Sequence, residues 1–350
     1  MSAQVDVCYP QERDVARWTQ RHAAGEVPGR WPYGLDRLQD DGTQVRWTGL
    51  TAPGRATTAL HRASSALGRR AVPAGAASRI GLAWDENAAV RMTVAHPSPR
   101  MHAGAIWVTD AVARGRRDGA TRARVRALRA MDGVWCLSRA QLEPLADLLG
   151  AGGPPVSFVR FGVDADFYRP QPYPDEPLVV SVGGDRDRDA ATLYAALEQV
   201  RRAVPQARVV VQTTSDLAPP AGVERVRHVP HRALRDLYAR ASVVVVATRP
   251  NLHVSGMTVS LEAMATGRPV VVTGSPGMDD YVVDGEHGRV APSGDAGALA
   301  EGVVDLLRDP ARAAETGARG RRAVEDGLRD VHLAARLRTA IGLGPAGGDR

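Results

Sequence analysis

Residues 242–273 read SVVVVATRPNLHVSGMTVSLEAMATGRPVVVT, two apolar runs that enclose one helical pattern. The runs Ser242–Ala247 and Pro269–Thr273 are rich in valine and almost free of polar side chains. Such runs are typical of strands buried on both faces of a parallel sheet. Between them, the segment Val259–Thr266 is predicted to be a helix. Strand, helix and strand together make a βαβ unit, which predicts a parallel sheet covered by helices.

The same alternation of short β-branched runs and amphipathic stretches extends over the whole chain of 350 residues. In the first half the predicted strands are Val5–Tyr9, Gln44–Leu50, Arg79–Trp84, Ala105–Thr109, Gly133–Leu137 and Ser157–Phe161. In the second half they are Leu178–Val182, Ala207–Thr213, Glu224–Val229, Ser242–Ala247, Pro269–Thr273 and Gly288–Ala291. Two sets of about six strands predict an α/β protein with two Rossmann-like, doubly wound parallel-sheet domains.

The boundary between the domains is predicted from Phe161–Pro177, FGVDADFYRPQPYPDEP. Its four prolines and its lack of periodicity are typical of a linker. We therefore expect an N-terminal domain over residues 1–165, joined by a C-terminal helix at 329–341, and a C-terminal domain over 166–328.

The charge composition has one anomaly, because all 45 basic residues are arginine and the chain contains no lysine. This excludes enzymes that use a Schiff-base lysine and nucleotide sites built on a Walker A loop. A GC-rich genome explains most of the arginines. The net charge of +6 permits anionic partners without selecting one.

Targeting and redox signals are weak. The two cysteines, Cys8 and Cys136, lie in apolar runs and form no disulfide or metal-binding pattern. Charge and proline follow the N-terminus too soon for a signal peptide, and no apolar run approaches the length of a membrane span. We therefore expect a cytoplasmic protein.

The densest basic segment is Arg114–Arg129, RGRRDGATRARVRALR, which we interpret as a helix. Its arginines could make weak peripheral contact with an anionic membrane, or they could form an ordinary solvated face. The segment has no aromatic residue and no groove-reading motif, so we expect no nucleic-acid partner.

Ligands of open α/β sheets bind beyond the carboxyl ends of the strands, where three glycine-bearing turns lead into helices. Glycine allows a close approach to the backbone, and a helix start attracts anions. Arginine side chains in the first turn could bind phosphate, and Glu262 could accept hydrogen bonds from ribose hydroxyls. Together the turns predict a nucleotide-diphosphate site, whose candidate residues are Gly183, Arg186 and Arg188 in the first turn, Ser255, Gly256, Met257, Thr258 and Glu262 in the second, and Gly277, Met278 and Asp280 in the third.

The segments Leu261–Val271 (LEAMATGRPVV) and Gly277–Val290 resemble the nucleotide-sugar-binding signature of the family-4 retaining glycosyltransferases of the GT-B fold. FGVDADFYRP is similar to the interdomain G-V-D-x-x-x-F-x-P of that family, with Tyr168 at the phenylalanine position. The resemblance extends from about Phe158 to Pro310 and fades towards the N-terminus.

This resemblance implies two Rossmann-like domains facing across a cleft and transfer of a hexosyl or other sugar from a nucleotide-diphosphate sugar, with retention of configuration. The acceptor is a hydroxyl of a glycan, a lipid-linked or a small molecule, bound chiefly by Tyr9–Leu35 and Trp84–His102. The resemblance implies no metal and no cofactor besides the donor substrate.

Carried over residue by residue, the resemblance places Glu262 at the ribose and the backbone N–H groups of Gly277 and Met278 at the donor. Asp280 takes the place of a family glutamate. Gly183 with Arg186 or Arg188 stands for the phosphate clamp, whose usual lysine is missing from this chain.

The chain also departs from the family, because Val254 stands where the first glutamate of the E-x7-E pair is expected. His253 is a candidate catalytic contact from the same loop. Asp85 and Asp110, each placed after a predicted strand, are candidates to orient the acceptor or to accept its proton, or else to cap helices. Two alternatives remain open: an inactive sugar-nucleotide-binding or partner subunit, and a nucleotide-sugar epimerase.

Overall fold

The computed structural model describes residues 3–52, 54 and 79–344. The chain forms two compact units. The first consists of Met1–Arg21, Arg30–Arg160 and Leu333–Arg350, and the second of His22–Gly29 and Phe161–His332.

The first unit contains a six-stranded, all-parallel sheet in the order β2-β1-β3-β4-β5-β6. Its strands are β1 (Ala3–Pro10), β2 (Thr43–Leu50), β3 (Arg79–Ala83), β4 (Arg100–Gly104), β5 (Gly133–Cys136) and β6 (Val156–Phe158). The described helices that accompany them are α1 (Val15–Ala23), α2 (Glu86–Ala95), α3 (Val108–Ala113), α4 (Gly119–Arg129) and α5 (Leu142–Leu149). Short 3₁₀ turns lie at Gln11–Arg13, Pro32–Leu38 and Arg139–Gln141.

The second unit contains another six-stranded, all-parallel sheet, in the order β12-β11-β10-β7-β8-β9. Its strands are β7 (Leu178–Gly183), β8 (Arg208–Thr213), β9 (Val223–Val226), β10 (Val243–Val246), β11 (Val270–Thr273) and β12 (Gly288–Ala291). Its helices are α6 (Ala190–Ala203), α7 (His231–Arg240), α8 (Met257–Ala265), α9 (Ala296–Arg308) and α10 (Pro310–Gly327). The last helix, α11 (Asp330–Ala340), begins in this unit and ends in the first.

Buried valines explain why the central strands pair in parallel. The four residues of β10 and the first three of β11 are fully buried valines, which is the composition of strands covered by helices on both faces.

Five helices begin after an aspartate whose carboxylate accepts a backbone N–H of the first turn, which stabilises each helix by about 1 kcal/mol. These residues are Asp85, Asp118, Asp189, Asp295 and Asp309.

One predicted strand is wrong. The fourth strand is Arg100–Gly104, and the apolar run Ala105–Thr109 that was expected to form it leads instead into α3. The observed strand, β4, contains arginine, histidine and glycine, so its sequence lacks the apolar pattern typical of a buried strand. The glycine is required because a Cβ on Gly104 would lie 2.1 Å from the carbonyl oxygen of Trp84. Asp110 consequently lies in the first turn of α3 rather than after a strand.

The unit boundaries differ slightly from the predicted domains. The second unit includes His22–Gly29, which the prediction assigned to the N-terminal domain. This segment is held there because the Gly29 N–H donates to Asp164 Oδ2 over 2.8 Å. The C-terminal helix contributes Leu333–Ala340 to the first unit, near the predicted 329–341.

The arginine-rich segment is also shorter as a helix than predicted. Gly115 adopts a φ of 76°, and α4 starts at Gly119 after its cap Asp118. No helix within the described part of the chain is long and apolar enough to cross a membrane.

Candidate functional site

The strand order of the second sheet reverses between β7 and β10. From β7 the chain continues outward to β8 and β9, and it then returns to form β10 on the other side of β7. In doubly wound sheets the crevice beyond the carboxyl ends of two such strands is the usual ligand site. The turns that follow β7 and β10 contain the first two groups of candidate residues.

The turn after β7 brings the guanidinium group of Arg188 between two glycines. A Cβ on Gly183 would lie 2.2 Å from Arg188 Nε, and a Cβ on Gly256 would lie 3.0 Å from its NH1. Arg188 thus packs against both glycines, and a Cβ on Gly256 would also lie 2.5 Å from Val246 Cγ1. Arg188 Nε is buried without a hydrogen-bond partner among the described residues. Burial lowers the pKa of Arg188, as expected for a cation with too few counter-charges.

The loop after β10 leads into α8 through two backbone conformations with positive φ, Val254 at 54° and Gly256 at 95°. Gly256 is the N-cap, and no side chain caps this helix. Ser255 is 2% exposed, and its Oγ has no hydrogen-bond partner among the described residues. Its N–H is held by Asn251 Oδ1 over 2.8 Å. The buried hydroxyl of Ser255 thus lies beside the N-terminus of α8, which is the positive end of the helix dipole.

An open pocket of about 390 Å³ lies next to these groups. Arginine side chains and the backbone around the start of α6 line it on one side, and the loop after β8 lines it on the other. The lining includes Gly183, Arg186, Arg188, Arg249, Thr214 and Leu217. The sequence patterns did not single out Arg249, because proline and asparagine beside it indicated only a loop. The three arginines of its lining favour an anion.

His253 lies against two carboxylates. Its Nε2 is 3.4 Å from Asp185 Oδ2 and 3.8 Å from Asp187 Oδ2, and its side chain is 4% exposed. Burial alone raises the pKa of Asp185, but the hydrogen bond and charge of His253 outweigh this and hold it well below its usual range. The ligand atoms of the three residues lie within 4.8 Å of one another, a spacing at which they could also hold a metal ion. That the protein uses no metal therefore stays a prediction.

Glu262 lies inside α8, is 7% exposed and is held by two tyrosines. Tyr168 donates to its Oε1 over 2.9 Å, and Tyr238 donates to its Oε2 over 3.1 Å. Burial raises its pKa to about 7, against the opposing effects of these hydrogen bonds and of the Arg188 charge. Neither tyrosine was predicted as its partner, because they are 94 and 24 residues away in sequence.

The third turn leads into a 3₁₀ turn at Met278–Asp280 rather than into the expected helix. Gly277 adopts a φ of 81°, which favours glycine. The Met278 N–H donates to the carbonyl oxygen of Ser275 over 2.9 Å, and its contact with the donor stays a prediction. Asp280 is 3% exposed.

The acceptor-side candidates of the first unit prove to be helix residues. Asp85 caps α2, with its Oδ1 accepting the N–H groups of Asn87 and Ala88 over 2.8 Å each. Asp110 is 3% exposed within α3. The adjacent Glu86 holds the loop after β4, because its carboxylate accepts the N–H groups of Ile106 and Trp107 over 2.9 Å each.

Comparison with known proteins bears on the second unit directly. Residues 176–309 match the family model of the glycosyl transferases group 1, and this segment contains the turns after β7, β10 and β11. The second unit belongs to the group 1 glycosyltransferases. The resemblance on which Glu262, Gly183 and the third turn were chosen is thereby confirmed at the level of the family.

Curated relatives of this group 1 unit include two actinobacterial transferases. The chain is 33% identical over 187 residues to the GDP-mannose-dependent alpha-(1-6)-phosphatidylinositol monomannoside mannosyltransferase of Mycolicibacterium smegmatis, covering 46% of this chain and 49% of that protein. It is 31% identical over 208 residues to D-inositol 3-phosphate glycosyltransferase 2 of Catenulispora acidiphila, covering 51% and 48%. The chain thus spans about half the length of the curated relatives it matches.

Solved structures similar to the whole chain confirm its fold class as GT-B, with two Rossmann-like domains. Sucrose-phosphate synthase from Thermosynechococcus elongatus has a TM-score of 0.70 at 18% identity, covering 96% of this chain and 98% of that one. Anabaena HepE, in complex with UDP and glucose, has a TM-score of 0.68 at 12% identity, covering 98% and 100%.

Proposed function

We propose that the protein is a retaining, metal-independent glycosyltransferase that moves a hexosyl or other sugar from a nucleotide-diphosphate donor to an acceptor hydroxyl. The observation that carries this proposal is the pair of buried groups at the start of α8. Arg188 Nε and Ser255 Oγ have no hydrogen-bond partner among the described residues, although a buried polar group normally has one. A bound diphosphate supplies acceptor oxygens for both.

The diphosphate is bound by fixed positive charge. Arg188, between Gly183 and Gly256, binds it with a planar fork of donors, and the first turn of α8 adds backbone N–H groups and its dipole. Arg186 and Arg249, at the rim of the pocket, add further cationic charge. Such an arrangement neutralises a leaving diphosphate as a divalent metal would elsewhere.

The sugar and ribose contacts follow from the neighbouring residues. Each oxygen of Glu262 accepts one tyrosine hydroxyl and has a second lone pair for a ribose hydroxyl. His253, held between Asp185 and Asp187, takes the catalytic position beside Val254 and stabilises the transition state near the leaving phosphate. We assign Gly277 to a backbone contact with the donor and Asp280 to the support of that turn.

In the reaction, the bond between the sugar C1 and the diphosphate oxygen breaks while the acceptor oxygen bonds to C1 on the same face. The electron pair leaves with the diphosphate, and the acceptor proton passes to a leaving phosphate oxygen. This requires no protein base, which agrees with the capping role of Asp85 and the helical position of Asp110. The products are the glycosylated acceptor and the nucleoside diphosphate.

A second candidate, an inactive sugar-nucleotide-binding subunit, is favoured by one observation. Val254 replaces the family glutamate and is 1% exposed, so no carboxylate reaches the sugar from this position. Turnover separates the two candidates, because the inactive subunit binds donor without hydrolysing or transferring it.

For the partners we propose a glycan, lipid-linked or small-molecule acceptor and a cytoplasmic location. The relatives named for phosphatidylinositol monomannoside and inositol phosphate support this range. We also propose weak peripheral contact with anionic lipid through the region 114–129, where most arginines are exposed and Asp118 is the only acidic residue.

The test is calorimetric titration with GDP-mannose, UDP-glucose, UDP-N-acetylglucosamine and dTDP-glucose, followed by a turnover assay. We expect binding of at least one donor and slow hydrolysis without acceptor. Ser255→Ala and Arg188→Met weaken that binding, whereas Arg202→Gln at the far end of α6 serves as the matched control. No binding of any donor refutes the proposal.

Metal independence is tested separately by assaying the same turnover after treatment with EDTA. Unchanged turnover supports the role of arginine in neutralising the diphosphate. Loss of activity that Mn²⁺ restores in the wild type, but not in Asp187→Asn, instead assigns the His253 cluster to a metal.

A further inference from the structure

The second unit contains another pocket, of about 700 Å³, which shares no lining residue with the pocket beside Arg188. Its walls are formed by residues 22–27, by the linker residues 164–171, by the second half of α7 and by Thr266 after α8. All of these belong to the second unit. We call it the linker pocket, and its volume lies in the range of about 300–1,000 Å³ that is usual for small-molecule sites.

The acidic side chains of the linker pocket already have partners. Asp164 is 8% exposed, and its carboxylate accepts three backbone N–H groups over 2.8 to 3.0 Å. Asp166 is paired with Arg329 at 2.8 Å, and Asp236 lies 3.3 Å from Arg235 Nε. Each carboxylate therefore has its own donors or its own counter-charge.

Two arginines of the linker pocket keep guanidinium donors that these carboxylates do not use. Arg169 Nε donates to the carbonyl oxygen of Asp166 over 2.7 Å, and Arg240 Nε donates to that of Asp236 over 3.3 Å. Both arginines are exposed, and neither has an ion pair within the part of the chain that the structure describes. Their terminal nitrogens thus remain for a ligand, and the guanidinium fork matches the oxygens of a phosphate.

The walls of the linker pocket also hold Glu262. Tyr168, in the linker, donates to Glu262 Oε1 over 2.9 Å, and Tyr238, in α7, donates to its Oε2 over 3.1 Å. The Thr266 hydroxyl donates to the carbonyl oxygen of Glu262 over 2.9 Å. Three of the four walls therefore each supply one hydrogen bond to the residue that we assign to the donor ribose.

We propose that the linker pocket binds a phosphorylated small metabolite, which raises the affinity of the second unit for its nucleotide-sugar donor. Arg169 and Arg240 bind the phosphate, and the side-chain amide of Gln171 can both donate to and accept from a hydroxyl group of the metabolite. The ligand fixes the linker against α7, so that both tyrosines are held on Glu262 before the donor binds. The effect on the donor rests on the proposed function, whereas the binding of phosphate does not.

The first experiment measures binding of phosphate probes to the full chain by calorimetry. The probes are ribose 5-phosphate and inorganic phosphate, with ribose as the uncharged counterpart and citrate as an anion without phosphate. All titrations use the Arg188→Met background, so that anion binding at the donor site does not contribute. In this background Arg240→Gln is compared with Arg232→Gln, an identical substitution at another exposed arginine of α7 that does not line the pocket.

We expect Arg240→Gln to weaken binding of ribose 5-phosphate at least 10-fold and Arg232→Gln to leave it within 2-fold, since a charge-assisted pair is lost only in the first. Ribose is expected not to bind. Equal affinities of the two variants, citrate that binds as tightly as ribose 5-phosphate, or no binding of either phosphate probe overturn the phosphate site.

The second experiment titrates donor into the protein with Arg188 intact, with and without saturating ribose 5-phosphate. We expect the phosphate to raise donor affinity about 5-fold or more, and Arg240→Gln to abolish this rise. Competition for Arg188 would instead lower donor affinity, so the sign separates the two effects. An unchanged or lowered donor affinity overturns the regulation.

Failure of the proposed function gives a different result. In that case no donor binds even without phosphate, while the titrations in the Arg188→Met background still report on the linker pocket. Donor binding that ribose 5-phosphate does not strengthen refutes the regulation alone.

Discussion

Arg188 and Arg268 lie in the same unit, yet their guanidinium groups make different numbers of hydrogen bonds. Arg268 is fully buried, and its Nε and Nη2 donate to three carbonyl oxygens, those of Tyr238, Pro172 and Ala239, at 3.1, 2.7 and 2.6 Å, while its Nη1 has no partner among the described residues. Arg188 is partly buried, and its Nε has no hydrogen-bond partner within the described part of the chain.

The difference separates a structural arginine from a binding one. Arg268 satisfies carbonyl groups at the C-terminal end of α7, where a positive charge also complements the helix dipole. Arg188 is held by the packing of two glycines and retains hydrogen-bonding capacity for a ligand. Charge and residue type are the same in both, so only the number of satisfied donors distinguishes their roles.

The largest effect is expected for Arg188→Met. Loss of one preorganised donor at a leaving group lowers kcat/KM by about 100-fold or more, whereas stability changes little because no protein hydrogen bond of Nε is lost. Steady-state kinetics with the donor identified above, together with thermal melting, measure both quantities. Arg188→Lys refines the result, since near-normal activity would show that a point charge is sufficient there.

Arg268→Met is expected to lower stability and to leave activity unchanged, the reverse of Arg188→Met. Two carbonyls at the end of α7 and the carbonyl of Pro172 lose their donor, which lowers the free energy of unfolding by about 3 kcal/mol, while kcat of the folded fraction stays unchanged. Urea unfolding and active-site titration at low temperature check this. A loss of kcat larger than the loss of stability would remove the distinction between the two arginines.

Glu262→Gln tests the carboxylate whose charge acts on Arg188. The pKa of Glu262 is raised to about 7, above its ordinary value of 4.5, so its stabilising contribution is complete below pH 4.5 and is lost as the pH rises through 7. Between pH 5 and 8 the wild type should lose about 2 kcal/mol that the glutamine variant keeps. Chemical unfolding at the two pH values measures this, and parallel curves for the two proteins would contradict it.

The smallest effect is expected for Tyr168→Phe, which introduces the residue typical of the resembled family. One hydrogen bond to Glu262 is lost, at a cost of about 1 kcal/mol. Because that bond favours the ionised carboxylate, the pKa of Glu262 rises further. Tyr238→Phe removes the other hydrogen bond to Glu262 and is expected to have the same effect; the pH dependence of unfolding measures both variants against the wild type, and an unchanged pH dependence contradicts the prediction.

Much of the fold was predictable because burial on both faces leaves a continuous apolar pattern. Eleven of the twelve predicted strands overlap observed ones, and β10 and β11 lie within the predicted runs. The fourth strand was missed because Arg100–Gly104 takes its place through packing, with Gly104 against Trp84, and its own residues show no strand pattern.

The candidate site was predictable in its location and only partly in its roles. The turns after β7 and β10 meet at the expected edge, which follows from parallel strands. Asp85 takes the capping role that its sequence position left open beside the catalytic one. Arg249 was missed because its side chain joins the lining only through the folding of its loop.

The sequence by itself determined the alternation of strands and helices, the family of the second unit and the arginines available to replace a missing lysine. These properties depend on neighbouring residues and on composition. Only the tertiary structure decided that Arg268 donates to three carbonyl oxygens while Arg188 Nε has no partner among the described residues, and that Tyr168 and Tyr238 hold Glu262. These hydrogen bonds join residues as far as 96 positions apart in the chain, and local patterns contain no record of such partners.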